Sequence, residues 1–148
     1  LYHAHPNNVI AMTFVLPLES RAFTRALWKA MTECVVVFPG GVGVVPWMVP
    51  GGADIARETA AMMETFDAVI WAQHGLFAAG PDFDTTFGLM HTVEKAADIY
   101  VRARSMNGGS DDFMNTITDD GLKAIAREFA IPLNEAMLES PVAGEAID

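Results

Sequence analysis

The chain has one cysteine in 148 residues, Cys34, so no internal disulfide can form. That favours a reducing, cytosolic compartment over secretion. Basic side chains are scarce as well: nine Lys and Arg stand against nineteen Asp and Glu, a net charge of −10, and the nine are scattered along the chain. The electrostatic footprint of a nucleic-acid or anionic-membrane binder is missing. Long apolar runs are also lacking. The longest, Val9 to Leu16, is interrupted by Thr13 and falls far short of the ~20 residues a membrane-spanning helix needs. There is no Lys-[Ser/Thr] phosphate-loop ending, no Gly-x-Ser-x-Gly elbow, no dinucleotide fingerprint and no internal repeat. An initiator Met is absent too, and the chain opens directly on what reads as a strand, which points to a piece of a longer polypeptide or a processed chain.

What is present suits one globular core. Hydrophobic residues make up 51% and charged residues 19%, a balance that excludes an intrinsically disordered chain. Leu1 to His5 alternates like a strand, and Pro6-Asn7 opens a helix over Asn8 to Val15 that Pro17 stops. Ser20 is expected to cap a helix over Arg21 to Thr32, with Phe23, Leu27, Ala30 and Met31 on its apolar face. Two β-branched runs, Val35 to Phe38 and Val42 to Pro46, flank Pro39-Gly40-Gly41 and predict a hairpin. A helix over about Ala53 to Phe66, a buried strand over Asp67 to Gln73 and a Gly- and Ala-rich loop over Phe77 to Asp82 follow. The longest helix is expected from about Asp84 to Ser105, and Thr118 caps another over Asp119 to Phe129. Beyond Pro132 a short helix and a loose acidic tail are expected. The alternation of elements predicts an α/β fold with helices packed on a mixed or antiparallel sheet.

Chemistry concentrates on histidine. His3 and His5 lie two apart on the first strand and so share a face, with Cα atoms roughly 6.5 to 7 Å apart. Two imidazoles at that spacing can share a metal. His74 ends another apolar strand just before Gly75, and three histidines with a fourth position open describe a catalytic zinc rather than a closed structural one. His91 shares a helix face with Lys95, Asp98 and Arg102 and reads as a surface residue. Gly40-Gly41-Val42-Gly43 reads as turn glycines, and Glu33, on sequence alone, as an ordinary exposed glutamate.

Four segments together resemble the class II aldolase/adducin family: His3-Ala4-His5-Pro6-Asn7-Asn8; Leu27-Trp28 through Thr32-Glu33-Cys34 to Pro39; Gly41-Val42-Gly43 to Pro46-Trp47-Met48-Val49-Pro50-Gly51; and His74-Gly75. The likeness runs from Leu1 to about Leu138. It implies that residues 1–138 are the C-terminal part of a class II aldolase domain, with 139–148 as an acidic tail. It further implies a cytoplasmic homotetrameric zinc lyase that takes a phosphorylated ketose, L-rhamnulose 1-phosphate, to dihydroxyacetone phosphate and L-lactaldehyde. By the same likeness His3, His5 and His74 match the zinc ligands, and Glu33 matches a catalytic acid that reaches a neighbouring subunit's site. The general base and the phosphate-binding loops precede the His-x-His in the family and have no counterpart here. A sugar-phosphate 4-epimerase of the same superfamily and a non-catalytic, adducin-like oligomer are the alternatives.

Overall fold

Residues 1–138 are described by a computed structural model; the expected acidic tail at 139–148 lies outside them. Four short strands form one mixed sheet: β1 (Tyr2–Ala4), β2 (Gly43–Val45), β3 (Ala68–Trp71) and β4 (Gly75–Ala78), in the spatial order β1-β4-β3-β2. The β1/β4 and β4/β3 pairs are antiparallel, and β2 runs parallel to β3. Among the described residues it is accompanied by the α-helices α1 (Asn7–Met12), α2 (Ser20–Ala30), α3 (Glu33–Val37), α4 (Ala53–Met63), α5 (Phe83–Met106) and α6 (Asp119–Glu128), and by a 3-10 turn at Glu135–Met137. The α/β class with a mixed sheet is as the sequence predicts.

The two faces of the sheet are covered unequally. Val44, Ala68, Ile70, Leu76 and Ala78 point into the main core, which they share with buried residues of α1, α2, α3, α5 and α6. The opposite face is smaller. There Val45, Val69 and Trp71 pack under Ile55 of α4 and Phe66, so α4 covers only β2 and β3. Because side chains alternate along a strand, Tyr2 and Ala4 pack against the main core while His3 faces the other way. The β1–β4 half of that second face has no helix over it among the described residues.

The hairpin expected over Val35–Phe38 and Val42–Pro46 does not form. Residues 33–37 are α3, a short helix, and only Gly43–Val45 is strand. Cys34, Val35 and Phe38 are buried at i, i+1 and i+4, a helical spacing, and packing against α2, α5 and α6 overrides the β preference of three consecutive valines. The Trp28 indole N–H donates to the Phe38 carbonyl at 3.2 Å and fixes the helix end. Gly41, at φ +90°, then turns the chain, and a Cβ there would meet the Thr24 side chain at 2.6 Å. The true hairpin is β3–β4, and the loop expected from Phe77 begins two residues late because Phe77 and Ala78 belong to β4. Ser20 is the first residue of α2 rather than its cap; its hydroxyl accepts from the Val44 N–H at 3.1 Å and anchors β2. Thr118 does cap α6, accepting from the Gly121 N–H at 3.1 Å.

Candidate metal centre

His3, His5 and His74 meet on the uncovered face. Their ligand atoms all lie within 4.8 Å of one another, with His3 and His5 exposed and His74 half-buried. Local structure brings each one in. The β1/β4 register sets His3 opposite Phe77, whose ring it stacks on at a centroid distance of 4.1 Å. His74 sits in the three-residue turn between β3 and β4, against Trp71 at 5.1 Å. Trp71 is itself held, its indole N–H donating to the Thr59 hydroxyl at 2.8 Å. Two strands can approach this closely only because Gly75 has no side chain, as a Cβ there would meet the Ala4 carbonyl oxygen at 2.3 Å and His5 Cδ2 at 3.2 Å.

The surroundings of His3 favour its neutral form. His3 Nδ1–H donates to the Leu76 carbonyl at 3.2 Å, which fixes the tautomer and leaves the Nε2 lone pair facing the cluster. Partial burial pushes the His3 pKa below its usual 6.5, the Leu76 hydrogen bond opposes this, and the neighbouring His5 and His74 add to the lowering. His3 Nε2 and His74 Nε2 are 3.2 Å apart. Two nitrogens bound tetrahedrally at about 2.0 to 2.1 Å from one zinc would be separated by roughly 3.3 Å. This donor set therefore fits such an ion without rearrangement of that pair.

Among the described residues no carboxylate or thiol joins the three rings. Cys34 is fully buried in the main core. Glu33 is exposed at the start of α3, in the helical layer on the far face of the sheet from the imidazoles. His91 is exposed on α5 and stays outside the cluster, as its polar neighbours predict. Sequence reasoning missed the aromatic wall of Trp71 and Phe77, although both occupy the outward phase of the strands that flank His74.

Residues 1–101 match the model of the class II aldolase and adducin N-terminal domain. The chain belongs to the class II aldolase and adducin family. Within it, rhamnulose-1-phosphate aldolases from Klebsiella pneumoniae and Listeria innocua are 46% and 43% identical to it over 138 residues, 93% of this chain and 49% of theirs. The chain thus spans about half the length of the curated relatives it matches. A crystal structure of a sugar-phosphate aldolase from Thermotoga maritima superposes with a TM-score of 0.62 at 30% identity, covering 70% of this chain and 44% of that one. No helix among the described residues is long and apolar enough to cross a membrane.

Proposed function

We propose that this chain carries the metal-holding part of a zinc-dependent aldolase that cleaves L-rhamnulose 1-phosphate to dihydroxyacetone phosphate and L-lactaldehyde in the cytoplasm. The observation that carries the reading is the convergence of His3, His5 and His74 on one open sheet face, in a chain 46% identical to a rhamnulose-1-phosphate aldolase. These three imidazoles would hold the ion. When bound, zinc supplies Lewis acidity opposite the negative charge that develops as a bond next to a carbonyl breaks. The protein's own part is orientation: the Leu76 carbonyl fixes the His3 ring, and Trp71 and Phe77 wall one side of the centre. Glu33 is proposed as the acid that serves the site of another copy in a homotetramer, consistent with its place in the opposite layer from its own chain's histidines.

Aldol cleavage also needs a positioned base, which typically contributes 10²–10⁴-fold, and the cluster contains none among the described residues. The 148 residues by themselves are therefore expected to turn over below about 1 s⁻¹, the low end of ordinary enzymes. A polypeptide carrying the rest of the relatives' length is expected to restore activity. The test is a coupled assay for dihydroxyacetone phosphate with zinc-loaded protein, with and without that polypeptide, and with His74→Ala. Turnover in the restored assembly that disappears with chelation and with His74→Ala supports the proposal. Undiminished turnover in the His74→Ala protein overturns it, and epimerised ketose without triose release turns the assignment to an epimerase.

A further inference from the structure

One short helix touches both sources of the imidazole cluster. α1 starts two residues after His5, and nothing on its own sequence caps it: Pro6 occupies the cap position and offers no side-chain acceptor. The acceptor comes from α5 instead. Glu94 Oε1 accepts from the Asn8 backbone N–H at 3.1 Å and from Asn8 Nδ2 at 2.8 Å, while Glu94 Oε2 accepts from the Val9 N–H at 3.1 Å. A carboxylate taking three donors at a helix start is charge-assisted and aligned with the helix dipole.

The other end of α1 is tied to the turn that carries His74. Thr13, the residue that ends the helix, accepts the Gln73 backbone N–H on its hydroxyl at 3.1 Å, and the Gln73 side-chain amide donates to the Thr13 carbonyl at 2.9 Å. Gln73 holds φ +53°, a conformation that non-glycine residues adopt only when their surroundings fix it. The bonds to Thr13 supply that fixing, and His74 follows immediately. Between the two ties, Val9 and Met12 are fully buried in the main core, so α1 cannot slide along its axis without breaking that packing.

We infer that α1 acts as a brace that, beside the direct β1/β4 pairing, holds the His74 turn fixed relative to the end of the His3-x-His5 strand, with Glu94 and the Thr13–Gln73 pair as positioning residues for the metal centre. The inference rests on the reading of the three histidines as a metal site. Neither Glu94 nor Thr13 is among the metal-capable group; each acts through the backbone it holds. Partners bonded directly to metal ligands are typically worth 10–100-fold in affinity, and supports one bond further out, as here, are expected at the lower end of that range.

The experiment measures the zinc dissociation constant of the purified chain by competition with a chromophoric chelator at fixed pH, and the visible absorption of the cobalt(II) form. Glu94→Gln keeps the size but removes the charge and one acceptor, and Thr13→Val removes the hydroxyl at the other end while keeping the shape. Each is expected to weaken zinc binding at least tenfold and to shift the cobalt bands. Leu122→Ala, which leaves a cavity under α6, a helix that packs against α3, is expected to lower thermal stability and leave the zinc constant at the parent value. Zinc binding within threefold of the parent in both variants overturns the inference, as does an equal loss in Leu122→Ala. If Glu94→Gln does not fold, Thr13→Val alone decides, because it leaves the Glu94 end intact. A parent chain that binds no zinc refutes the metal site itself, a result distinct from unaltered binding in the variants.

Discussion

Cys34 and Gly75 show what single positions contribute to this fold. Gly75 stands in the sequence only as the residue after His74, and in the structure it is where the Ala4 backbone of β1 makes its close approach. No local pattern reveals which strand will lie alongside. Cys34 is nothing more than an isolated thiol in the sequence, whereas in the structure it is 0% exposed between α2, α5 and α6. Burial first, and the charge of adjacent Glu33 second, push its pKa from an ordinary 9.0 up to about 12. The folded chain therefore keeps the thiol protonated at pH values where the unfolded chain has already lost that proton. Stability is fully present below about pH 9 and declines as pH rises from there toward 12, because the unfolded state then binds fewer protons than the native state. The thiolate is also the reactive form. Native protein at pH 8 is expected to react with an aromatic disulfide reagent at least a hundredfold more slowly than protein in denaturant. Comparable rates in the two states would mean that Cys34 is not buried.

At the level of elements, long periodic segments were legible, as were the short strand at Leu1–His5 and the short helix that Pro6-Asn7 opens, and one short segment was not. The apolar face of α5, Leu89, Met90, Val93, Ala96, Ala97 and Tyr100, is buried as its helical spacing predicts, and the Thr118 cap is where the sequence puts it. The failure falls on five residues, Glu33 to Val37, too few for a helical period to outweigh three valines. Tertiary contacts decided that segment, and the hairpin predicted there moved to β3–β4, where the turn residues Ala72-Gln73-His74 carry no glycine. The distinction is measurable at Val37, which is 40% exposed near the end of α3. In a strand, Val→Ala would remove a favourable β-branched residue. In a helix it removes an unfavourable one, a difference of roughly 0.5 kcal/mol in the other direction. Val37→Ala is therefore expected to leave stability unchanged or raised by up to about 0.5 kcal/mol in urea unfolding; a loss of more than about 1 kcal/mol would favour the strand.

Across the whole molecule, the sheet separates two sets of chemistry. One face carries the imidazoles with Trp71 and Phe77, and the other carries the helical layer in which α3 presents Glu33 to solvent. The histidine set was readable because it depends on the period of a strand and one strand end. Its relation to Glu33 was not, since that depends on layer order, which no local spacing encodes. Glu33 stands in the helical layer and is not among the groups that meet at its own chain's histidines. If Glu33 is catalytic as proposed, the functional unit must contain at least two copies, each lending its Glu33 to the other's histidines. That arrangement predicts complementation. In the assembly proposed to cleave L-rhamnulose 1-phosphate, Glu33→Ala and His74→Ala proteins are each expected to lose most of their kcat. Co-refolding the two in equal amounts creates mixed assemblies in which an intact metal centre faces an intact Glu33 from its neighbour. Random mixing of two copies makes such a pairing available at about one site in four, so activity is expected to recover to roughly a quarter of the parent because about a quarter of the sites are complete. Zinc content should follow only the His74 substitution. No recovery on mixing, with both parents folded and assembled, would place the action of Glu33 within its own chain or remove it from catalysis.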